Sequence, residues 1–264
     1  PRSTLFPYTT LFRSVGGDEW RIYGGHRLWH SPEIMPRTYA PDNDPVGYAA
    51  GDRSVTLTQR MEPSTGIVKE IEVSLAPGVN QVTLRHRLTN RNLWDVELAP
   101  WSITALAQGG RAIVPQEPYG AGVDFLLPAR PLALWPCVRM GDPRWTWGNG
   151  YIQLRQDPSG TTAQKIGVLN TLGWAAYTLN GEVFVKRFGC IPGAQYPDFN
   201  CNNEVYTDGN LLEVESLGPM VKIPPDGTVE HVEHWLLTRA DIGASEDSID
   251  ENLLPIVNAW VPRV

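Results

Sequence analysis

Hydrophobic and polar residues alternate with period two along much of the chain. Val55 and Leu57 alternate with Thr56 and Thr58, and Ile67, Ile71, Val73 and Leu75 alternate with Val68, Glu70, Glu72 and Ser74. Such alternation marks strands with one covered face. Pro63-Ser64-Thr65-Gly66 and Pro77-Gly78 supply turns, and Val82, Leu84 and Leu88 resume the pattern, so residues 54–88 predict a three-stranded antiparallel meander. Further strands are predicted at 94–107, 151–155, 165–169, 174–179, 183–188, 211–217 and 229–237. One helix signal appears near the end, where Ser248-x-x-Glu251 fits a capping box before Leu253 and Pro255 cuts it short. The predicted class is all-β with very little helix, either a large sandwich or a closed barrel.

Residues 115–148 depart from this pattern. Pro115, Pro118, Pro128, Pro131, Pro136 and Pro143 sit among Trp135, Trp145 and Trp147, which predicts a long excursion, either a functional loop or a lid packed on the sheet. Composition agrees with many short strands, since the 264 residues include 25 Gly and 23 Pro with no repeat period. Twenty-two Lys and Arg against 29 Asp and Glu give a net charge of −7, which argues against a nucleic-acid partner. No run approaches the roughly 18 apolar residues that a membrane-spanning helix needs. Ten Trp and nine Tyr serve either a core or a sugar-stacking cleft. Cys137, Cys190 and Cys201 make no disulfide framework; Cys190 and Cys201 either pair across one loop or stay free. Neither oligomeric state nor compartment is legible.

Residues 4–14 read TLFPYTTLFRS, which matches the translation of a common sequencing adapter. On this reading residues 1–14 are not native, and residues 15–264 form a single domain that lacks its native first strands.

Candidate chemistry clusters in three places. The run from Gly24 to Glu33 holds His26, Arg27, Trp29, His30 and Glu33 after a glycine pair that permits a sharp turn, a density suited to a polar ligand cleft or to a structural Arg27–Glu33 pair. His26 and His30 have helical metal-ligand spacing, but Gly24-Gly25 and Pro32 disfavour a helix there, so no metal or other cofactor is assigned. On the predicted strand 211–217, Glu213 and Glu215 share a face with Leu211 and Leu217, about 7 Å apart by strand rise. Burial and mutual repulsion there would raise one pKa and suit it to proton transfer, whereas a solvated face would leave both as surface groups. Lys186 lies between Phe184 and Phe188 on its face, either snorkelling or set against a ligand or carboxylate. Tyr196 to Tyr206 then packs Asn203, Glu204 and Tyr206 among further amides and aromatics, as sugar recognition requires and as turn-forming Asn and core Tyr also explain. His86 reads as a core histidine, and His231 and His234 fall on opposite faces of a strand.

The order YGGHRLWHSPE, RHRLTNRNLWDVELAPWSITAL, FVKRF, YPDFNCNNEVY and LLEVESLGPMVKIPPDG resembles the galactose-mutarotase-like superfamily over about residues 20–240, in a bacterial branch of uncharacterised domains. The resemblance implies a β-supersandwich of large antiparallel sheets with a small-molecule carbohydrate as partner. It implies either aldose 1-epimerase-like activity or a non-catalytic sugar-binding domain. Its glutamate base corresponds to Glu215, with Glu213 as the other possibility. Its histidine acid does not match, because Ala99-Pro100-Trp101-Ser102 places Trp101 there, and an indole is no general acid at neutral pH. By the same resemblance His26 is the acid or ring-oxygen donor, while the residue types themselves suggest Trp101 as a stacking platform and Arg27, Lys186, Asn203 and Glu204 as holding hydroxyls or an acidic sugar group. Trp29, Glu33 and Tyr206 complete the expected substrate-binding set.

Overall fold

Strand alternation builds two antiparallel sheets that pack face to face. The computed structural model describes residues 20–22, 24–118, 120 and 126–260, so the adapter-like segment lies outside the described residues. Its strands, in chain order, are β1 (His26–Ser31), β2 (Gly47–Ala50), β3 (Ser54–Thr58), β4 (Ile67–Leu75), β5 (Gln81–Asn90), β6 (Val96–Leu106), β7 (Arg111–Pro115), β8 (Leu132–Leu134) and β9 (Trp145–Trp147). They continue with β10 (Tyr151–Arg155), β11 (Gln164–Val168), β12 (Trp174–Leu179), β13 (Glu182–Phe188), β14 (Asn203–Thr207), β15 (Leu212–Leu217), β16 (Val221–Ile223) and β17 (Thr228–Arg239).

The smaller sheet runs β1-β6-β15-β14-β11-β8, with β16 also paired to β6, and the larger runs β2-β3-β4-β5-β17-β13-β12-β7-β10-β9. The predicted meander is β3-β4-β5, with Val73 opposite both Val55 and Leu84. Of the two predicted all-β architectures, the structure is the sandwich and not the closed barrel. Gly24 and Gly25, at φ 82° and 77°, make the left-handed turn that launches β1, a conformation L side chains rarely adopt. Among the described residues of the 115–148 excursion, the sheets take Pro115, the last residue of β7, and the three-residue strands β8 and β9.

Between the sheets, Leu84, Tyr177, Phe184, Val205 and Val214 form the main buried cluster. The opposite face of the larger sheet is covered by two short C-terminal helices, Glu246–Asn252 and Leu254–Ala259, whose Ile249, Leu253 and Val257 pack on Ile113, Val183 and Val185. The helix cap differs from the expectation: Ser245, not Ser248, accepts the backbone N–H, here from Ser248 itself. Pro255 opens the second helix instead of ending the first, because a first-turn residue needs no N–H donor. No helix among the described residues is long and apolar enough to cross a membrane.

Candidate functional site

A cleft lies on the outer face of the smaller sheet. Register brings its side chains into one layer: Trp29 stands opposite Trp101 and Arg27 opposite Ile103, while Ile103 also faces Glu215. Glu215 pairs in turn with Glu204, Glu213 with Tyr206, and Tyr206 with Lys165. Residues of this parity point outward, and Trp20, Glu33, Tyr39 and Trp135 close over them from the connecting segments.

The aromatic wall has two layers. Trp29 and Trp101 are buried edge to face, with ring centroids 5.3 Å apart. Around them Trp20, Tyr39, Trp135 and Tyr206 are only half-buried and line the cleft. Each buried indole carries a cation. The Arg27 guanidinium lies 4.6 Å from the Trp29 ring centroid, and its Nη1 donates to Glu213 Oε1 at 2.9 Å. Lys165 Nζ lies 4.6 Å from the Trp101 centroid and 4.8 Å from that of Trp135. Below it, Glu204 Oε2 at 2.8 Å and Glu215 Oε2 at 3.2 Å supply the counter-charge. Trp101 Nε1 donates to the same Glu215 oxygen at 2.7 Å. Gly167 makes room for this layer, since a Cβ there would lie 2.8 Å from Cys201 Sγ and 3.3 Å from Glu204 Cγ.

Two carboxyls, Glu204 and Glu215, thus share one ammonium. Burial opposes the charge on Lys165, but Glu204 and Glu215 outweigh it and hold the ammonium above its ordinary range. Burial pushes the Glu204 carboxyl well up, with Glu215 and Asp198 adding to it against the pull of Lys165. Burial also raises Glu213, with Arg27 opposing and Glu215 reinforcing.

Of the residues singled out in the sequence, Arg27, Trp29, Glu33, Trp101, Tyr206 and Glu213 line the cleft. Glu204 and Glu215 lie directly beneath it, sealed off by Lys165 and Trp101. Three are not in the cleft. His26, Lys186 and Asn203 have the opposite strand parity or belong to the other sheet, so they face the sandwich interior. His26 meets Thr104 and His86, Lys186 Nζ bonds Glu233 at 2.8 Å, and Asn203 Nδ2 donates to the Glu215 carbonyl at 2.8 Å. Trp101 is no open stacking platform, because Lys165 covers its face and the ring is 3% exposed. Arg27 pairs with Glu213 instead of Glu33, and Glu33 accepts from the Tyr39 hydroxyl. Cys137, Cys190 and Cys201 are all free thiols. Lys165 was absent from the expected site; its parity opposite Ile166 and Val168 was the available signal. Among the described residues no histidine lines this cleft.

No protein-family model matches the sequence, and no curated protein matches it. Solved structures do match. A TPR-domain containing protein from Parabacteroides distasonis aligns over 90% of this chain with a TM-score of 0.54 and 15% identity. This chain spans only 40% of that protein's length. A putative aldose 1-epimerase from Escherichia coli K12 aligns over 86% of this chain and 80% of its own, with a TM-score of 0.50 and 10% identity. The Slr1438 protein of Synechocystis sp. PCC 6803 aligns over 87% and 77%, with a TM-score of 0.50 and 10% identity. The chain therefore shares its fold with a putative aldose 1-epimerase.

Proposed function

We propose that this protein binds a small-molecule carbohydrate in the cleft on the outer face of the smaller sheet. The observation that carries the reading is the pairing of each cation with a carboxylate beside half-buried rings. Arg27 and Glu213 present a donor and an acceptor side by side, the arrangement that adjacent sugar hydroxyls complement. Tyr206 and Trp135 offer ring faces for the C–H side of a pyranose. In this reading Glu213, which is 6% exposed, is the carboxylate that reaches the ligand. Glu215, at 0% exposed, is a positioning residue that fixes Trp101 and Lys165.

Aldose 1-epimerase-like chemistry is the second reading, favoured by the place of the Glu213 carboxyl at the cleft and by the burial that pushes it above its ordinary range, the direction a proton-exchanging carboxyl needs. Calorimetric titration with neutral, amino and acidic monosaccharides, followed by NMR anomer-exchange rates, separates the two. Saturable binding that Arg27→Ala abolishes supports the cleft; absence of binding across all three sugar classes refutes it. Accelerated anomer exchange that Glu213→Gln removes selects the enzyme, and binding without acceleration selects the non-catalytic domain.

A further inference from the structure

Behind the cleft, on the inner face of β1, a second constellation joins the two sheets. His26 Nε2 and His86 Nε2 approach to 2.7 Å. His86 Nδ1 lies 3.0 Å from the His231 backbone oxygen, which can only accept, so Nδ1 carries the proton and Nε2 is left with a lone pair. The 2.7 Å contact therefore takes its proton from His26 Nε2, and His26 Nδ1 accepts from the Thr104 hydroxyl at 3.0 Å; when an ion binds, that proton moves to Nδ1, which then donates to Thr104 and frees Nε2 as a ligand. Two imidazoles, each anchored through Nδ1 to an oxygen and each turning Nε2 toward one point, have the second-shell arrangement that orients histidine ligands on a metal.

A carboxylate completes the group. The ligand atoms of His26, His86 and Glu233 all lie within 4.8 Å of one another. Glu233 Oε1 takes Lys186 Nζ at 2.8 Å, the Ser216 hydroxyl at 2.6 Å and the Ser102 hydroxyl. Oε2 takes the Trp235 indole N–H at 3.0 Å, which leaves that oxygen a further lone pair. Two imidazole nitrogens and one carboxylate oxygen suit a divalent transition metal better than calcium or magnesium, whose ligands are oxygens.

We propose that His26, His86 and Glu233 form a binding site for a divalent transition-metal ion of the Zn²⁺ class. Tetrahedral Zn–N bonds of about 2.0–2.1 Å set the two nitrogens roughly 3.3 Å apart, so the imidazoles must part by about half an ångström. His26 can supply that movement. It is half-buried and lines a second cavity at the sheet edge, which Asp42, Asp44 and Glu62 also line. Those acids give a cation a route inward.

The test uses the untagged full chain, stripped with EDTA and titrated with Zn²⁺ by calorimetry and with Co²⁺ by visible absorption. One equivalent of Zn²⁺ is expected to bind and to displace Co²⁺ from a site with tetrahedral d–d bands. His26→Gln, a change at a half-buried position, is expected to weaken Zn²⁺ binding at least tenfold, and Thr104→Val, which removes only the anchoring oxygen, about tenfold. Cys137→Ser and His234→Gln, outside the cluster, are expected to leave it unchanged. Lack of binding by the wild-type chain overturns the proposal, and so does unchanged affinity in a folded His26→Gln or loss of binding in Cys137→Ser or His234→Gln.

Discussion

Trp101 donates its indole N–H to Glu215 at 2.7 Å while standing opposite Leu217, one strand over, in the register of β6 and β15. The bond holds the ring with its face toward Lys165, whose Nζ lies 4.6 Å from the centroid. A tryptophan at the position where the superfamily resemblance leads one to expect an acid therefore has a structural task. It seats the cation that forms the cleft floor.

Removing that cation exposes how the floor is held. Lys165→Met leaves Glu204 and Glu215, both fully buried, without their shared counter-charge. Breaking a buried pair in this way is expected to cost about 3–5 kcal/mol in urea unfolding. The triple variant Lys165→Met, Glu204→Gln, Glu215→Gln should recover most of the loss. If the single variant is as stable as wild type, the electrostatic account of the floor is wrong.

Another buried carboxylate, Glu62, makes the fold acid-labile. Glu62 contacts His30 of β1 and Lys69 of β4, so it ties the smaller sheet to the larger. Burial would raise its pKa, but hydrogen bonds and charges from His30, Lys69 and Thr65 outweigh burial and hold it at about 2 against an ordinary 4.5. The folded-state value is depressed, so the stabilisation is fully present above pH 4.5 and is lost as pH falls from 4.5 toward 2. The shift corresponds to at most about 3 kcal/mol. His30, whose pKa burial lowers, acts in the same direction below its ordinary 6.5, since the unfolded chain takes up that proton more readily. Denaturant midpoints measured across this range should fall steeply in wild type and less in Glu62→Gln; parallel curves would count against the linkage.

The sheets were legible where one face is apolar and the other polar, as in β4 and β5, and where apolar runs are bounded by turns, as in β10 and β12. β1 and β14 were not, because HRLWHS and NEVYT are buried on both faces and their polar residues satisfy one another across strands. A segment with no strand signal has no parity, so the sequence does not separate His26 from Arg27, whereas neighbours on β1 face opposite ways. The same alternation separates Asn203 from Glu204. Glu213 and Glu215 share a face, as the strand period predicts, but a period gives no depth, and only the tertiary arrangement distinguishes the carboxylate in the cleft from the one beneath it.

The turn before β14 stores backbone strain. Asp198, Phe199 and Asn200 lie at φ 51°, 61° and 74°, three consecutive non-glycine residues in the left-handed region. Phe199 has no compensating burial, being 92% exposed. Left-handed geometry costs roughly 1–2 kcal/mol for an L residue, and glycine returns part of that gain to the flexibility of the unfolded chain. Phe199→Gly is expected to stabilise the protein by about 0.5–1 kcal/mol in thermal or urea unfolding. A destabilised variant would mean that the ring makes a contact worth more than the strain.

The Arg27–Glu213 pair allows binding and proton transfer to be told apart within one site. Arg27 is wedged between Trp20 and Trp29 and bonded to Glu213, so Arg27→Ala removes a donor and frees the carboxylate at once. Sugar affinity is expected to fall at least tenfold, about 1.4 kcal/mol. Glu213→Gln keeps an oxygen to accept from Arg27 and a side chain of the same shape, so affinity should change less than threefold. A carboxamide cannot take up a proton near neutral pH, however, so any anomer-exchange activity should drop by two orders of magnitude or more. Calorimetry and exchange NMR on the same two variants read these effects separately. Glu213→Gln that loses affinity as severely as Arg27→Ala would show that the carboxylate's charge holds the ligand, and exchange rates unchanged in Glu213→Gln would remove it as the proton carrier.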